Sequence, residues 1–346
     1  MKLLIVGSWR WKQYEEAFAK SLTLQNVTVE KFSTSRYLSG PLSKYIELLP
    51  LPVFKIILLN QAIKKQVLQS NIDAVLFWRP THIFPSTIIK LNKNNINTIS
   101  YNNDDPFGPW MHNLAPWHHK FLWYWYFKCL PYFKKNFFYR ETNCLEAKSL
   151  GIKHASLLMP YFIPLKDRPI ELNQQDRKRF LYDVVFIGHY EKDGREKYIN
   201  ALVRSNINFK LWGGTYWTKE ILKEAYDLLP PIQPVYGEDY NKAINGSKIA
   251  LCFLSKLNRD QYTRRCFEIP ATGTVLLSER TEALSSLFIE NQEAVFFSTP
   301  AEMIEKIQWL LNNPVILQEI AQAGMRKSWA AGYDIDSRTQ EFLQSI

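Results

Sequence analysis

The sequence is poor in cysteine, has no long apolar run and no repeat, and carries little acid over its first half. The four cysteines, Cys129, Cys144, Cys252 and Cys266, form no C-x-x-C pair. That argues against a zinc site and, in a chain of 346 residues, against a disulfide framework. A reduced, cytoplasmic setting is expected. No stretch of about 18 uninterrupted apolar residues exists, so nothing is expected to span a bilayer. The nearest approach, Phe121 to Phe133, is broken by Lys128 and Pro131 and is suited to lie on a membrane, not to cross it. The opening apolar run holds four residues before Gly7, too few for a secretory signal. No self-similarity at a fixed period is visible, which excludes a repeat rod.

What is present describes a folded protein. Hydrophobic residues make up 46% of the chain and aromatics 14%, with 11 Trp, too many for a disordered segment. At about 150 residues per domain the length predicts two domains. The net charge of +10 is unevenly placed. Residues 1–170 hold 22 Lys and Arg against 10 Asp and Glu, whereas residues 171–346 hold 21 against 23. A basic half joined to a neutral half suits either a solvated basic surface or work beside something anionic, such as phosphate, nucleic acid or lipid.

Strand-like and helix-like segments alternate along both halves. Lys2 to Val6, Val27 to Phe32, Ala74 to Trp78, Asn97 to Tyr101 and Asn136 to Arg140 read as strands, separated by helices near Tyr14 to Leu24, Phe54 to Gln69 and Ser86 to Asn94. The pattern breaks at Pro160, Pro164 and Pro169 and the polar cluster up to Arg179, a composition expected of an interdomain connection. It resumes with strands at Tyr182 to Ile187, Phe209 to Trp212, Ile249 to Leu254, Gly273 to Leu277 and Ala294 to Phe297. Helices are expected at Arg195 to Ser205, Tyr240 to Asn245 and Pro300 to Asn312. Alternation of this kind predicts two α/β domains with doubly wound parallel sheets. Ligands then belong at the carboxyl ends of the strands, in a cleft between the two domains.

The segment most informative for chemistry is SKLNRDQYTRRCFEIPATGTVLLSERTEA, residues 255–283. Two adjacent guanidinium groups, Arg264 and Arg265, precede the carboxylate Glu268. Fixed arginines beside a helix N-terminus hold a diphosphate, and a carboxylate accepts hydrogen bonds from a ribose diol. An i,i+3 ion pair on a surface helix is the plainer reading of the same residues. The stretch Arg265-Cys266-Phe267-Glu268-Ile269-Pro270-Ala271-Thr272-Gly273 resembles the R-x-F-E-x-x-A-x-G signature of the CgeB-type (spore maturation protein-like) glycosyltransferases, relatives of the group 1 family. Val185 to Gly188, Tyr236-Gly237 with Tyr240 to Ala243, Ser247 to Leu251 and Glu293 to Phe297 are similar to the segments flanking that signature. The resemblance covers residues 180–340 well; before that only Asn103 to Phe107 and the Pro160 to Pro169 turn look alike.

The resemblance implies a GT-B fold, two Rossmann-like domains facing across a cleft. An acceptor-binding domain would span residues 1–168, with a final helix at 336–346 crossing back to it, and a nucleotide-sugar domain residues 178–335. The implied activity is transfer of a sugar from a nucleoside-diphosphate sugar to a glycan or lipid-linked acceptor, in surface polysaccharide or glycoconjugate synthesis. Glu268 takes the place of the ribose-binding Glu of an E-x7-E pair, with Asp260 standing eight positions earlier where that pair has Glu. Arg265, with Arg264 as a second candidate, matches the cation that neutralises the diphosphate. Gly188, His189 and Arg195 match the loop under the donor phosphates, Gly273 and Thr274 would offer backbone N–H groups, and Tyr236 lies where the base is held. Breaking the anomeric C–O bond leaves negative charge on the nucleoside diphosphate, which guanidinium groups and helix N-termini stabilise. No divalent ion or other cofactor is expected.

Asp104 and Asp105 end a strand just before Pro106. They suit a turn with Asx-type backbone bonds or, for one of them, a general base that deprotonates the acceptor hydroxyl. His82, His112, His118, His119, His154 and His189 lack metal-ligand spacing; His189 follows Gly188 and is the one expected at the cleft. Trp110 to Arg140 interleaves rings with Lys120, Lys128, Lys134, Lys135 and Arg140. That mixture suits an anionic membrane surface, stacking on single-stranded nucleic acid, or a helix whose rings pack into the core. Two rival functions follow: a basic nucleic-acid-binding protein, for which nucleic acid is the less expected partner, and a catalytically inactive relative with a structural role.

Overall fold

The computed structural model describes residues 1–40, 45, 48, 51–111 and 117–346, without the side chains of Trp110, Trp117 and His118. The chain forms two compact units, one of Met1–Met159 with Ile335–Ile346 and one of Pro160–Asp334.

Unit 1 is built on six parallel strands: β1 (Lys2–Gly7), β2 (Thr28–Ser33), β3 (Ala74–Trp78), β4 (Asn97–Asn102), β5 (Lys135–Phe138) and β6 (Ala155–Leu157), in the order β2-β1-β3-β4-β5-β6. Every residue of β3 is buried, the pattern of a strand covered on both faces. Helices α1 (Ala17–Leu24), α2 (Phe54–Gln69) and α3 (Pro85–Lys93) connect the strands. Leu59, Ile63 and Val67 of α2 meet Ile88 and Leu91 of α3 over Leu4, Val75 and Phe77 of the sheet. The expected helix from Tyr14 begins instead with a wide turn at Lys12–Glu16, where Tyr14 leaves helical geometry.

Unit 2 has five parallel strands: β7 (Tyr182–Ile187), β8 (Phe209–Trp212), β9 (Ser247–Cys252), β10 (Val275–Glu279) and β11 (Val295–Phe297), in the order β11-β10-β9-β7-β8. Around them run α4 (Arg195–Arg204), α5 (Glu238–Asn245), α6 (Arg265–Ala271), α7 (Pro300–Asn312) and α8 (Pro314–Ala330). The sequence reading omits α8. Pro314 looks like a stop after α7, but at the first helical position its missing N–H costs nothing, and a second helix starts there.

The strand order of each parallel sheet reverses once, in unit 1 between β1 and β3 and in unit 2 between β7 and β9. These switch points are where open α/β sheets accept ligands, outside the carboxyl ends of the strands.

The last helix, α9 (Ile335–Gln344), belongs to unit 1 although unit 2 precedes it in the chain. Ser21 Oγ of α1 donates to Asp336 Oδ1 and lies 2.7 Å from Thr339 Oγ1. Phe342, fully buried, packs edge-on against Phe18 at 5.4 Å and against Phe137 at 5.4 Å. Phe342→Ala is expected to destabilise the protein by about 3–5 kcal/mol through lost burial and a cavity, read in urea melts, with unit 1 unfolding first.

Candidate functional site

Three loops meet at the unit 2 switch point, following β7, β9 and β10. Gly188 follows β7 in a space too tight for a side chain, since a Cβ there would lie 2.7 Å from the Phe186 ring. Its carbonyl accepts the Trp217 indole N–H at 2.8 Å. The next residue, His189, is 60% exposed, and its Nε2 sits 3.1 Å from Glu191 Oε1. The other Glu191 oxygen accepts Ser255 Oγ from the β9 loop at 2.6 Å, so one carboxylate bridges the two sides of the switch point. Burial alone raises the Glu191 pKa. Hydrogen bonds from His189 and Ser255, and the Arg195 charge, outweigh it and hold the pKa at about 2. No sequence motif marks Glu191; its partners come from separate loops.

Arg195, expected under the donor phosphates, is bound within its own loop. Its guanidinium forks onto Asp193, Nε to Oδ1 at 2.9 Å and Nη2 to Oδ2 at 2.5 Å, and donates to the His189 carbonyl at 2.9 Å. With 5% exposure it shapes the loop, leaving no hydrogen-bonding edge toward solvent. Lys256 closes the loop from the other side by donating to the Asp193 carbonyl at 2.6 Å. Glu279, at the end of β10, accepts the Leu254 N–H at 2.6 Å, and burial raises its pKa.

Behind these loops lies a second cluster. Glu268, one turn into α6 and 2% exposed, is bonded by Arg264 through Oε1 and accepts the Tyr240 hydroxyl at 2.8 Å through Oε2. Lys166 stands 3.9 Å from Oε1 and 3.2 Å from Asp167, and lies over the Tyr240 ring at 4.8 Å. Burial lowers the Lys166 pKa against the pull of Asp167, and the nearby Arg264 charge adds to the lowering. Burial raises the Tyr240 pKa against the charges of Arg265 and Arg264. Arg265 and Tyr240 line one small crevice with Ile187 of β7, which places the arginine at the switch point. Arg264 keeps one buried nitrogen, Nη1, without a hydrogen-bond partner among the described residues. The plain expectation of a solvated surface ion pair therefore fails: this carboxylate is buried and held by three side chains. Lys166 carries no sequence signal beyond its place in the proline-rich connection.

Several other expected residues fall elsewhere. Gly273 and Thr274 precede β10 and so sit at the amino edge of the parallel sheet, opposite the ligand edge. The Gly273 N–H is taken by the Pro270 carbonyl at 2.9 Å, and the Thr274 hydroxyl donates to Ile244 at 3.1 Å. They close α6, with Gly273 at φ +78°. Tyr236 is 71% exposed beside Gly237, just ahead of α5. Asp260 is half-buried, and its N–H donates to the Ser255 carbonyl at 2.9 Å.

Unit 1 has its own cleft, about 550 Å3, at the carboxyl ends of β1 and β3. Trp11 and Trp78 contribute rings, and Glu15, Arg79, His82 and Asp104 contribute polar groups. Glu15, 2% exposed, accepts the Trp9 N–H at 3.1 Å and the Ser8 hydroxyl at 3.3 Å. Arg79, at φ +49°, pairs with Asp104. His82, 4% exposed, has Nδ1 2.7 Å from Thr81 Oγ1. The two expected aspartates separate cleanly. Asp104 lines the cleft. Asp105 turns inward, its Oδ1 accepting the N–H groups of Phe107 and Gly108, both at 3.0 Å, and Asn143 Nδ2 at 2.9 Å, so it is a cap and not a base. Of the aromatic stretch, Trp123, Tyr126, Phe133, Phe137 and Phe138 are buried, spread over short helices and β5 instead of one long helix; residues 112–116, with His112, lie outside the described residues. Among the described residues, no three His, Cys, Asp or Glu side chains converge as metal ligands.

Glu191 gives the site a pH signature. Its folded pKa, about 2, lies below the ordinary value of 4.5. The stability it contributes, on the order of 3 kcal/mol, is therefore present above about pH 4.5 and lost as pH falls toward the folded value. Glu191→Gln is expected to lower Tm near neutral pH and to converge on the parent in strong acid, checked by melts across the acid range.

Solved structures share this fold along the whole chain. Sucrose-phosphate synthase from Thermosynechococcus elongatus superposes with a TM-score of 0.71 at 10% identity, covering 99% of this chain and 98% of that one. A glycosyltransferase from Rickettsia africae gives 0.67 at 12% identity over 99% and 97%. HepE of Anabaena, in complex with UDP-glucose, gives 0.68 at 10% identity over the full length of both. No curated protein matches the sequence. Its two doubly wound parallel sheets are those of the GT-B fold, and residues 195–344 match the family model described as Glycosyl transferase-like.

Proposed function

We propose that this chain is a glycosyltransferase that takes a sugar from a nucleoside diphosphate and passes it to a hydroxyl of a glycan or lipid-linked acceptor. The observation that carries this reading is the buried knot of Arg264, Tyr240 and Lys166 on Glu268, with Arg265 beside it at the switch point of the unit that matches the glycosyl transferase-like model. HepE, which shares the fold, binds UDP-glucose.

Each group then has a task. Glu268, its two oxygens already fixed by Arg264 and Tyr240, is set at one angle to accept the ribose hydroxyls. As the anomeric C–O bond breaks, its electron pair stays on the diphosphate oxygen. Arg265, with the buried Arg264 behind it, meets the charge that develops there. His189, its Nε2 held by Glu191, presents Nδ1 to a donor oxygen. In unit 1, Trp11 and Trp78 offer flat faces to an acceptor ring, and Asp104 takes the acceptor proton as the new C–O bond forms. The neutralising charges are side chains, so turnover is expected to persist in EDTA.

Thermal-shift titration against UDP, GDP, CMP, TDP and ADP tests donor binding. A nucleotide at 100 times its Kd is expected to stabilise the protein by about 2.7 kcal/mol, and no shift with any of them overturns the proposal. Arg265→Ala is expected to lower kcat/KM by about 10²–10³-fold. Glu268→Gln, which keeps an acceptor for Tyr240 but removes the charge facing Arg264 and Lys166, is expected to abolish the nucleotide shift and to lower Tm. Asp104→Asn is expected to lower kcat by about 10²–10⁴-fold while leaving the nucleotide shift intact. An active Arg265→Ala or Glu268→Gln enzyme contradicts the assignment. RNA binding with no nucleotide response supports the nucleic-acid rival instead.

A further inference from the structure

Among the described residues, the lining of the unit 1 cleft sets Arg10 and Arg79 against Glu15 and Asp104. The sum is balanced, but the pairing is not. Arg79 is spent on Asp104 and lies 5.3 Å over the Trp123 ring. Glu15 is buried, and its Oε1 accepts the Trp9 N–H and the Ser8 hydroxyl. Arg10 is exposed, and its guanidinium has no partner among the described residues. The cleft thus keeps one cation in reserve.

The loop that carries Arg10 is held in place. Trp9 stands at φ +56°, in the left-handed region that a bulky residue enters only at a cost. Its indole N–H donates to the Phe32 carbonyl at 3.1 Å, and the Lys31 ammonium lies 4.5 Å over its ring. Gly7 leaves room for Glu15 beneath the loop, since a Cβ there would meet Glu15 Oε1 at 2.5 Å. Arg79, which follows the neighbouring strand β3, is left-handed too, at φ +49°. Strain of this kind persists where neighbours impose it, and it clusters at ligand sites. Beyond Trp9 the chain presents Arg10 and Trp11 in succession, both lining the cleft and both exposed, Trp11 by 54%.

We propose that this cleft takes an acidic sugar, a pyranose whose ring lies on the face of Trp11 and whose carboxylate or phosphate is held by Arg10. The inference rests on the reading of the unit 1 cleft as the acceptor site, and it names the chemistry of that acceptor. A sugar ring turns C–H groups toward an aromatic face, and a guanidinium forks onto two oxygens of a carboxylate or a phosphate. A neutral sugar leaves Arg10 unused, and a small inorganic anion leaves Trp11 unused. Glu15 and Asp104 repel an anionic group from their side of the cleft, which directs it to Arg10 and turns the hydroxyls toward the carboxylates.

Saturation-transfer NMR on the full chain reads this site without nucleotide, using glucuronate, glucose 6-phosphate and glucose as probes at matched ionic strength. At least one acidic sugar is expected to bind about tenfold or more tightly than glucose, and which of the two does so separates carboxylate from phosphate. Arg10→Gln is expected to weaken that binding by about ten- to hundredfold, the weight of hydrogen bonds to a charged group, and to leave glucose unaffected. Trp11→Ala is expected to weaken all three. Both positions are exposed, so Tm is expected to stay nearly unchanged in each variant. The proposal is overturned if no probe binds, if glucose binds as tightly as the acidic sugars, or if Arg10→Gln leaves acidic-sugar binding intact. It is also overturned if acetate or inorganic phosphate binds as tightly as the sugars, which reduces Arg10 to an unspecific anion contact. The nucleotide titration is a separate readout: its failure counts against the donor reading, whereas equal binding of acidic and neutral sugars counts against this inference alone.

Discussion

A carboxylate with 2% of its surface exposed stays ionised inside a protein only if opposite charge and hydrogen bonds replace the water it has lost. Glu268 obtains them from three places in the chain: Arg264 one turn before it, Tyr240 from the first turn of α5, and Lys166 from the segment that opens unit 2. That requirement fixes more than one side chain. Tyr240 reaches Glu268 only if α5 packs beside α6, and Lys166 only if the Pro160 to Ile170 segment lies along α5, where Asn241 and Asn245 bond its backbone. Removing the carboxylate would strand the buried Arg264 guanidinium, so the knot is at once a proposed binding element and a strut.

The loops at the switch point follow the same logic with a different result. Arg195 spends its fork on Asp193 and the His189 carbonyl, with Glu191 Oε2 at 3.5 Å, and so fixes the loop on which His189 stands. Glu191 then holds the imidazole through one oxygen and the β9 loop through the other. An exposed residue placed by buried partners loses little conformational freedom when a ligand arrives, which is how a loop becomes a precise site.

Much of the fold was readable from the residues because parallel strands covered on both faces are nearly continuous apolar runs, and Ala74 to Trp78, Tyr182 to Ile187 and Phe209 to Trp212 are such runs. β6 and α8 were missed for local reasons: the first has three residues, and the second opens on a proline that also reads as a terminator. The site was legible only where it is contiguous in sequence, as at Arg264, Arg265 and Glu268. Glu15, Arg79 and His82 in unit 1, and separately Glu191 and Lys166 in unit 2, reach their sites through the strand order, which no spacing encodes. Gly273 and Thr274 show the same limit from the other side. They neighbour the signature in sequence, yet α6 carries the chain from the carboxyl edge of the sheet to its amino edge before they appear. Asp104 and Asp105 differ because successive residues leaving a strand point opposite ways, one into the cleft and one toward a helix that needs a cap.

Charge makes the sharpest contrast between whole-chain and local reading. Unit 1 carries 21 Lys and Arg against 11 Asp and Glu, while unit 2 is balanced at 22 of each. A reading by net charge places an anionic ligand in the basic unit. The local chemistry differs: the unit 1 cleft sets Glu15 and Asp104 among Arg10 and Arg79, a balanced lining, whereas the neutral unit 2 gathers Lys166, Arg264 and Arg265 near its switch point. The two observations agree once distance is considered. Exposed charges act through salt water over about a Debye length, roughly 8–10 Å, and set what a whole face approaches. Buried charges act at contact and set what a site holds. The surplus lysines of unit 1 include the exposed Lys55 and Lys65 of α2 and Lys90 and Lys93 of α3, so they bear on a broad charged surface and not on the balanced lining of the cleft.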